Sequence, residues 1–132
     1  MEYTYSHIHL TTQTVDEWGQ WYVDTMGATI TGSSEAPRTK IVNLDVGGVA
    51  IRISNLTGVE RYIQDETGKK VLPPEGYHHL GFLVDDIDAC VAELLSKGAV
   101  MEAGVRQPSS AMRNAFLKLP GGVRIELGQK SL

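Results

Sequence analysis

Cysteine is almost missing from this chain: Cys90 is the single one in 132 residues, which excludes an intramolecular disulfide. Its place in the spacing Ile87, Cys90, Val91, Leu94 marks a buried helix position rather than a reactive thiol. Excess positive charge is missing too. The net charge is −4 with a pI near 5.5 and no basic run, which argues against nucleic acid or an anionic membrane surface as the partner. There is no charged-then-apolar leader and no apolar run long enough to span a bilayer, so a cytoplasmic protein with a small-molecule substrate is expected. Low-complexity tracts are absent as well.

What the chain has instead is a repeat. His7-Ile8-His9-Leu10, a helical stretch and Gly27-Ala28-Thr29-Ile30 return as His79-Leu80-Gly81-Phe82, a second helical stretch and Gly98-Ala99-Val100-Met101. Gly47-Gly48-Val49-Ala50-Ile51-Arg52-Ile53 returns in the same way as Gly121-Gly122-Val123-Arg124-Ile125-Glu126-Leu127. The chain is therefore two copies of one β-α-β-β-β module. A length of 132 residues with 42% hydrophobic content suits a single domain, 1–132, whose modules of about 1–57 and 76–132 share one core.

Periodicity places the elements. Residues 4–11 alternate as a strand, and Val15, Trp18, Trp21, Tyr22, Thr25 and Met26 then recur at helical spacing, with Gln13 or Thr14 at the start and Gly27 as the stop. Val42, Leu44 and Val46 alternate before Gly47-Gly48 and Val49, Ile51 and Ile53 after it, the pattern of a tight hairpin. In the second module Tyr77–Val84 reads as a strand and Asp86 opens a helix that Gly98 ends. Ala115, Leu117, Leu119, Gly121-Gly122, Val123, Ile125 and Leu127 form the matching hairpin. The joining stretch 55–76 is polar and long, either a lid or a plain crossover, with a short helix possible around Val59–Asp65.

Alternate side chains of a strand point to opposite faces, and this sorts the chemistry. Ile8, Leu10, Val49, Ile51, Ile53, Leu80, Phe82, Val84, Ile125 and Leu127 fall on the face expected under the helices. The other face carries His7, His9, Thr11, Ala50, Arg52, Ser54, His79, Gly81, Arg124 and Glu126. Burying so many polar groups is costly unless a metal or ligand pairs with them. His7, His79 and Glu126 are the sharpest metal candidates, because imidazole and carboxylate suit one divalent ion of Zn, Ni, Co, Mn or Fe(II). Two histidines and one carboxylate also leave coordination positions open for catalysis. His9 shares their face and is a candidate acid-base residue, a support for the ligands or an alternative ligand. Tyr5, Tyr62 and Tyr77 are weaker candidates, each better explained by packing.

These residues resemble the vicinal oxygen chelate superfamily, which includes glyoxalase I, methylmalonyl-CoA epimerase, extradiol dioxygenases, fosfomycin-resistance enzymes and bleomycin-resistance proteins. The likeness covers nearly the whole chain. It rests on the first-strand His7 followed by Trp21-Tyr22, on His78-His79-Leu-Gly-Phe-Leu-Val-Asp-Asp-Ile, and on Gly121-Gly-Val-Arg-Ile-Glu126-Leu. It implies an α+β fold in which two tandem βαβββ modules form a U-shaped, barrel-like mixed sheet, with helices outside and a metal-binding cleft inside. The four ligand positions of that family fall here on His7, Arg52, His79 and Glu126. The resemblance also implies a homodimer, since relatives bury strand edges by pairing modules.

Arg52 departs from the pattern, and the repeat shows it independently, because Arg52 aligns with Glu126 within the two Gly-Gly-Val hairpins. A guanidinium has no lone pair to give a metal, so three protein ligands are expected. Thr11 and Leu56 stand where glutathione-dependent glyoxalases resemble one another in Arg and Asn, which makes true glyoxalase I activity unexpected.

The expected function is a metal-dependent isomerase, epimerase or lyase acting on a small, anionic, oxygenated substrate. Glu126 or His9 would serve as base, with Arg52, Thr11, Ser54 and Arg124 contacting the substrate. The alternatives are an extradiol-type Fe(II) dioxygenase and, from a different class, a metal-free drug-binding module. The retention of three ligand residues favours the enzyme.

Overall fold

The computed structural model describes residues 2–55, 63–72 and 74–131. The elements run β1 (Thr4–Thr11), α1 (Val15–Met26), β2 (Thr29–Ala36), β3 (Thr39–Val46) and β4 (Val49–Ser54), then β5 (Ile63–Gln64) and β6 (Lys70–Val71). They continue with β7 (Gly76–Leu83), α2 (Ile87–Ser96), β8 (Val100–Ser109), β9 (Met112–Leu119), a 3-10 turn at Pro120–Gly122 and β10 (Val123–Lys130). The fold is α+β and consists of two βαβββ modules. Among the described residues, no helix is long and apolar enough to cross a membrane.

Two compact units divide the chain, Ile8–His78 and the combination of Met1–His7 with His79–Leu132. In the first unit the strand order is β2-β3-β4-β1, with β4 parallel to β1 and Ile8, His9, Leu10 and Thr11 opposite Ile51, Arg52, Ile53 and Ser54. In the second the order is β8-β9-β10-β7, with β10 parallel to β7 and Ile125, Glu126, Leu127 and Gly128 opposite Leu80, Gly81, Phe82 and Leu83. The repeat seen in the sequence is thus a repeat of strand order. Both tight hairpins turn on paired glycines with positive φ, 59° and 89° at Gly47-Gly48 and 82° and 76° at Gly121-Gly122, a conformation that a side chain opposes.

Each unit has its own core. Leu117, Ile125 and Leu127 from the strands meet Ile87, Cys90 and Val91 from α2, with Leu80 and Phe82 packed against them. Burying a side chain of this size is worth about 1.5–3 kcal/mol. In the other unit Val42, Leu44 and Ile53 meet Val15, backed by Leu10, Ile51, Trp18, Tyr22 and Val23. The parity assignment of the apolar face therefore holds for Leu10, Ile51, Ile53, Leu80, Phe82, Val84, Ile125 and Leu127, whereas Ile8 belongs to neither core and Val49, next to the hairpin turn, is 41% exposed. Cys90 is buried as expected, and its thiol donates a hydrogen bond to Tyr3 Oη at 3.2 Å.

Two local expectations need correction. The inward face of α1 runs through Val15, Trp18, Gly19, Tyr22 and Val23, whereas Trp21 and Met26 are exposed. Gly19 lies on that inward face, where a Cβ would stand 3.5 Å from Val42 Cγ1, an ordinary packing distance. In the joining stretch, 59–62 of the short helix considered for Val59–Asp65 lie outside the described residues. Ile63–Gln64 is a strand paired with Lys70–Val71, its turn organised by Asp65 Oδ1, which accepts from Thr67 N, Thr67 Oγ1 and Lys69 N. Asp86 caps α2 as expected, its Oδ1 accepting from Ala89 N at 3.0 Å.

Candidate metal centre

His7, His79 and Glu126 come together within one compact unit. β10 sets Glu126 directly opposite Gly81 on β7 and Phe116 on β9, so the carboxylate lies in a cross-sheet row between a residue with no side chain and an aromatic ring. His79 is two residues before Gly81 on the same face. His7 Nε2 lies 3.8 Å and His79 Nε2 lies 3.7 Å from the same oxygen, Glu126 Oε1. Those separations exceed a hydrogen bond. Both imidazoles are buried, with side chains 11% and 4% exposed.

The rings are held from several sides. Ser6 Oγ lies 2.9 Å from His7 Nδ1, and when Nδ1 carries the proton the Nε2 lone pair faces the carboxylate side. His7 and His79 meet edge to face with centroids 5.6 Å apart, and Phe116 meets His79 in the same manner at 5.2 Å. Gly81 supplies the remaining space: a Cβ on it would stand 2.5 Å from His7 Cε1. Asn114 Nδ2 donates to the other carboxylate oxygen, Glu126 Oε2, at 3.3 Å.

Burial alone pushes the Glu126 carboxyl up, but the His79 imidazole, then His7 and the Asn114 amide more than offset it, and its pKa lies below the ordinary glutamate value. A carboxylate between two imidazoles is stabilised as the anion by positive charge on either side of it, on a protonated ring or on a bound cation. The donor set fits a divalent ion. Nitrogen and oxygen ligands at about 2.0–2.2 Å from a shared ion stand roughly 3–4 Å apart, and two imidazoles with one carboxylate leave coordination positions for a ligand.

The other expected site residues lie in the second compact unit, apart from Arg124. His9 Nε2 is 2.6 Å from Ser54 Oγ, and its ring centroid is 6.1 Å from that of His78. Thr11 and Ser54 are buried and face each other as Cα partners on β1 and β4. Arg52 lies between His9 and Asn43 in the strand register and donates through Nε to Asn43 Oδ1 at 3.0 Å. Among the described residues it forms no ion pair, and the nearby Asp45 of β3 accepts from Gly48 N in the hairpin turn. Arg124 is paired on its own sheet: its Nε is 2.6 Å from Glu102 Oε1, a carboxylate it shares with Lys118.

Sequence reasoning missed Ser6, Asn114 and Phe116 and gave Gly81 no role. The signal for Asn114 and Phe116 was present, since Ala115, Leu117 and Leu119 alternate into the core and the residues between them must face the other way.

Two βαβββ modules define the class of fold, and a buried pair of histidines approaching one carboxylate marks its candidate site. The family model described as the Glyoxalase/Bleomycin resistance protein/Dioxygenase superfamily matches residues 6–116, and the chain belongs to that superfamily. The matched segment includes His7 and His79 and ends before Glu126. Solved structures of the same fold include a hypothetical protein from Bacillus halodurans C-125, with TM-score 0.73, 20% identity, and coverage of 100% of this chain and 97% of that one. Methylmalonyl-CoA epimerase from Mycobacterium tuberculosis has TM-score 0.66 and 23% identity, covering 98% and 89%. A mutant 4-hydroxymandelate synthase from Streptomyces coelicolor has TM-score 0.62 and 16% identity, covering 98% of this chain and 49% of that one. No curated protein matches the sequence.

Proposed function

We propose that this protein is a metal-dependent enzyme of the vicinal oxygen chelate type, in which His7, His79 and Glu126 hold one divalent ion, Zn, Ni, Co, Mn or Fe(II). It carries out isomerase, epimerase or lyase chemistry on a small, anionic, oxygenated substrate. The observation that carries this reading is the approach of two buried imidazole Nε2 atoms to one carboxylate oxygen, at 3.8 and 3.7 Å. A bound ion supplies Lewis acidity, drawing charge from substrate oxygens and stabilising a developing enolate.

The chain's own groups do the rest. His9 is the base: a neutral imidazole takes up a proton near physiological pH, and the Ser54 hydroxyl at 2.6 Å fixes which ring nitrogen is engaged. Glu126 is the alternative proton acceptor, through whichever oxygen the substrate reaches. Arg52, oriented by Asn43, binds the anionic group of the substrate, and the buried hydroxyls of Thr11 and Ser54 contribute polar contacts. An anionic oxygenated substrate accords with a fold relative at 23% identity that is a methylmalonyl-CoA epimerase in complex with methylmalonyl-CoA and NH4+.

Two histidines and one carboxylate are also the ligand set of non-haem Fe(II) oxygenases, so an extradiol-type dioxygenase is the second reading. Elemental analysis of protein purified without added metal, followed by melting with each ion in turn, tests the proposal. One equivalent of metal is expected, and an ion at about 100 times its Kd adds about 2.7 kcal/mol of stability. No stoichiometric metal and no thermal shift with any of the five ions would leave a metal-free binding module as the better description.

A further inference from the structure

We infer that Asn114 is a positioning residue that presents Glu126 to a metal through one oxygen only; this rests on the assignment of His7, His79 and Glu126 as ligands. Asn114 lies on β9 two residues before Phe116, the Cα partner of Glu126, and its own partner on β10 is Gly128, which has no side chain. The amide therefore reaches diagonally along the sheet, and Nδ2 donates to Glu126 Oε2 at 3.3 Å. The two oxygens of the carboxylate are thereby given different neighbours: Oε2 takes the amide proton, while Oε1 has the two imidazole nitrogens at 3.8 and 3.7 Å.

The orientation of the amide follows from chemistry. An ionised carboxylate only accepts, so the nitrogen end must face it and the carbonyl end must turn away. The turned-away Oδ1 is buried without a hydrogen-bond partner among the described residues, an unfavourable arrangement for an amide kept only to fill space. The bond to Oε2 is thus the one polar contact of this side chain among the described residues. A hydrogen bond on one carboxylate oxygen disfavours two-oxygen coordination and leaves an additional position at the ion for a ligand.

The test uses Asn114→Leu, which keeps the volume and removes the amide, with Asn114→Ala alongside in case the branched side chain disturbs packing. Metal-free wild type and variants are titrated with Co(II), reading affinity by chelator competition and coordination by the visible spectrum. Both variants are expected to melt close to wild type without metal, to bind Co(II) about tenfold more weakly, and to show a weaker spectrum indicating higher coordination as the released carboxylate binds through both oxygens. An unchanged Co(II) spectrum in a folded variant overturns the inference while leaving the three ligands in place. Failure of the wild type to take up Co(II) overturns the ligand assignment and the inference with it.

Discussion

The imidazole of His7 rests on the α-carbon of Gly81, with Nδ1 only 2.7 Å and Nε2 only 3.1 Å from where a Cβ on that glycine would be. Gly81 has no need of a left-handed backbone, since it is not among the glycines of positive φ. It is small because a ring occupies the place of its side chain. Gly81→Ala must displace His7, and overpacking of this kind costs about 1–3 kcal/mol. Metal affinity should fall by about 10–100-fold as the ring leaves its position. Gly104→Ala on β8 is the control, because a Cβ there meets nothing within 4 Å. Melting curves and chelator competition on both variants provide the comparison, and equal metal affinity in Gly81→Ala and Gly104→Ala would show that His7 is not held by this contact.

The carboxyl of Glu126 has a depressed pKa in the folded protein, so the sign of its pH effect is determined. Its contribution to stability is present above the ordinary carboxylate range and is lost as pH falls through the folded value. Glu126→Gln has no such titration. In metal-free protein, the stability difference between wild type and Glu126→Gln should shrink as pH is lowered from about 7 to about 3. A difference that stays constant over that range would contradict the stabilising role of the imidazoles.

The fold was legible because its two periodicities agree: period-two strands and glycine-stopped helices occur twice at nearly the same spacing. His7, His79 and Glu126 were legible because parity alone places them on the face away from Ile125 and Leu127. β2 was harder to bound. Its sequence Thr-Ile-Thr-Gly-Ser-Ser-Glu-Ala is mostly exposed and bulged between Ile30 and Gly32, so no alternation marks its length. The α1 face was misjudged because an aromatic side chain looks like core at either helical offset, and only the packing of Trp18, Tyr22 and Val23 against Val42, Leu44 and Ile53 distinguishes them. Alternation gives the face on which Asn114 and Gly81 lie but not their roles, which depend on a diagonal contact between strands and on a ring arriving from another strand.

A symmetric homodimer is expected in solution, since β2 and β8 end the strand order of their units and C2 pairing is the commonest way to cover such edges. Sedimentation velocity across a wide range of protein concentration reads this directly. A monomer mass at every concentration would rule the dimer out.

Arg52 offers the sharpest separation between a substrate-binding and a structural role. It takes the place in the first hairpin that Glu126 takes in the second; the residue is half-buried, and its guanidinium has a neutral partner, Asn43, rather than a carboxylate. A half-buried cation with no ion pair among the described residues is suited to a carboxylate or phosphate, which a guanidinium grips through two parallel hydrogen bonds. Arg52→Met keeps the aliphatic stem and removes the charge, so the fold and the metal content should be unchanged. Affinity for anionic ligands, measured by calorimetry, should fall by an amount on the order of 2–5 kcal/mol if the contact is buried in the complex. Asn43→Ala, which frees the guanidinium without removing it, should weaken the same ligands by less. If Arg52→Met binds anionic ligands as tightly as wild type, or if it loses its metal, Arg52 is a structural residue of β4 and the anionic group must be held elsewhere.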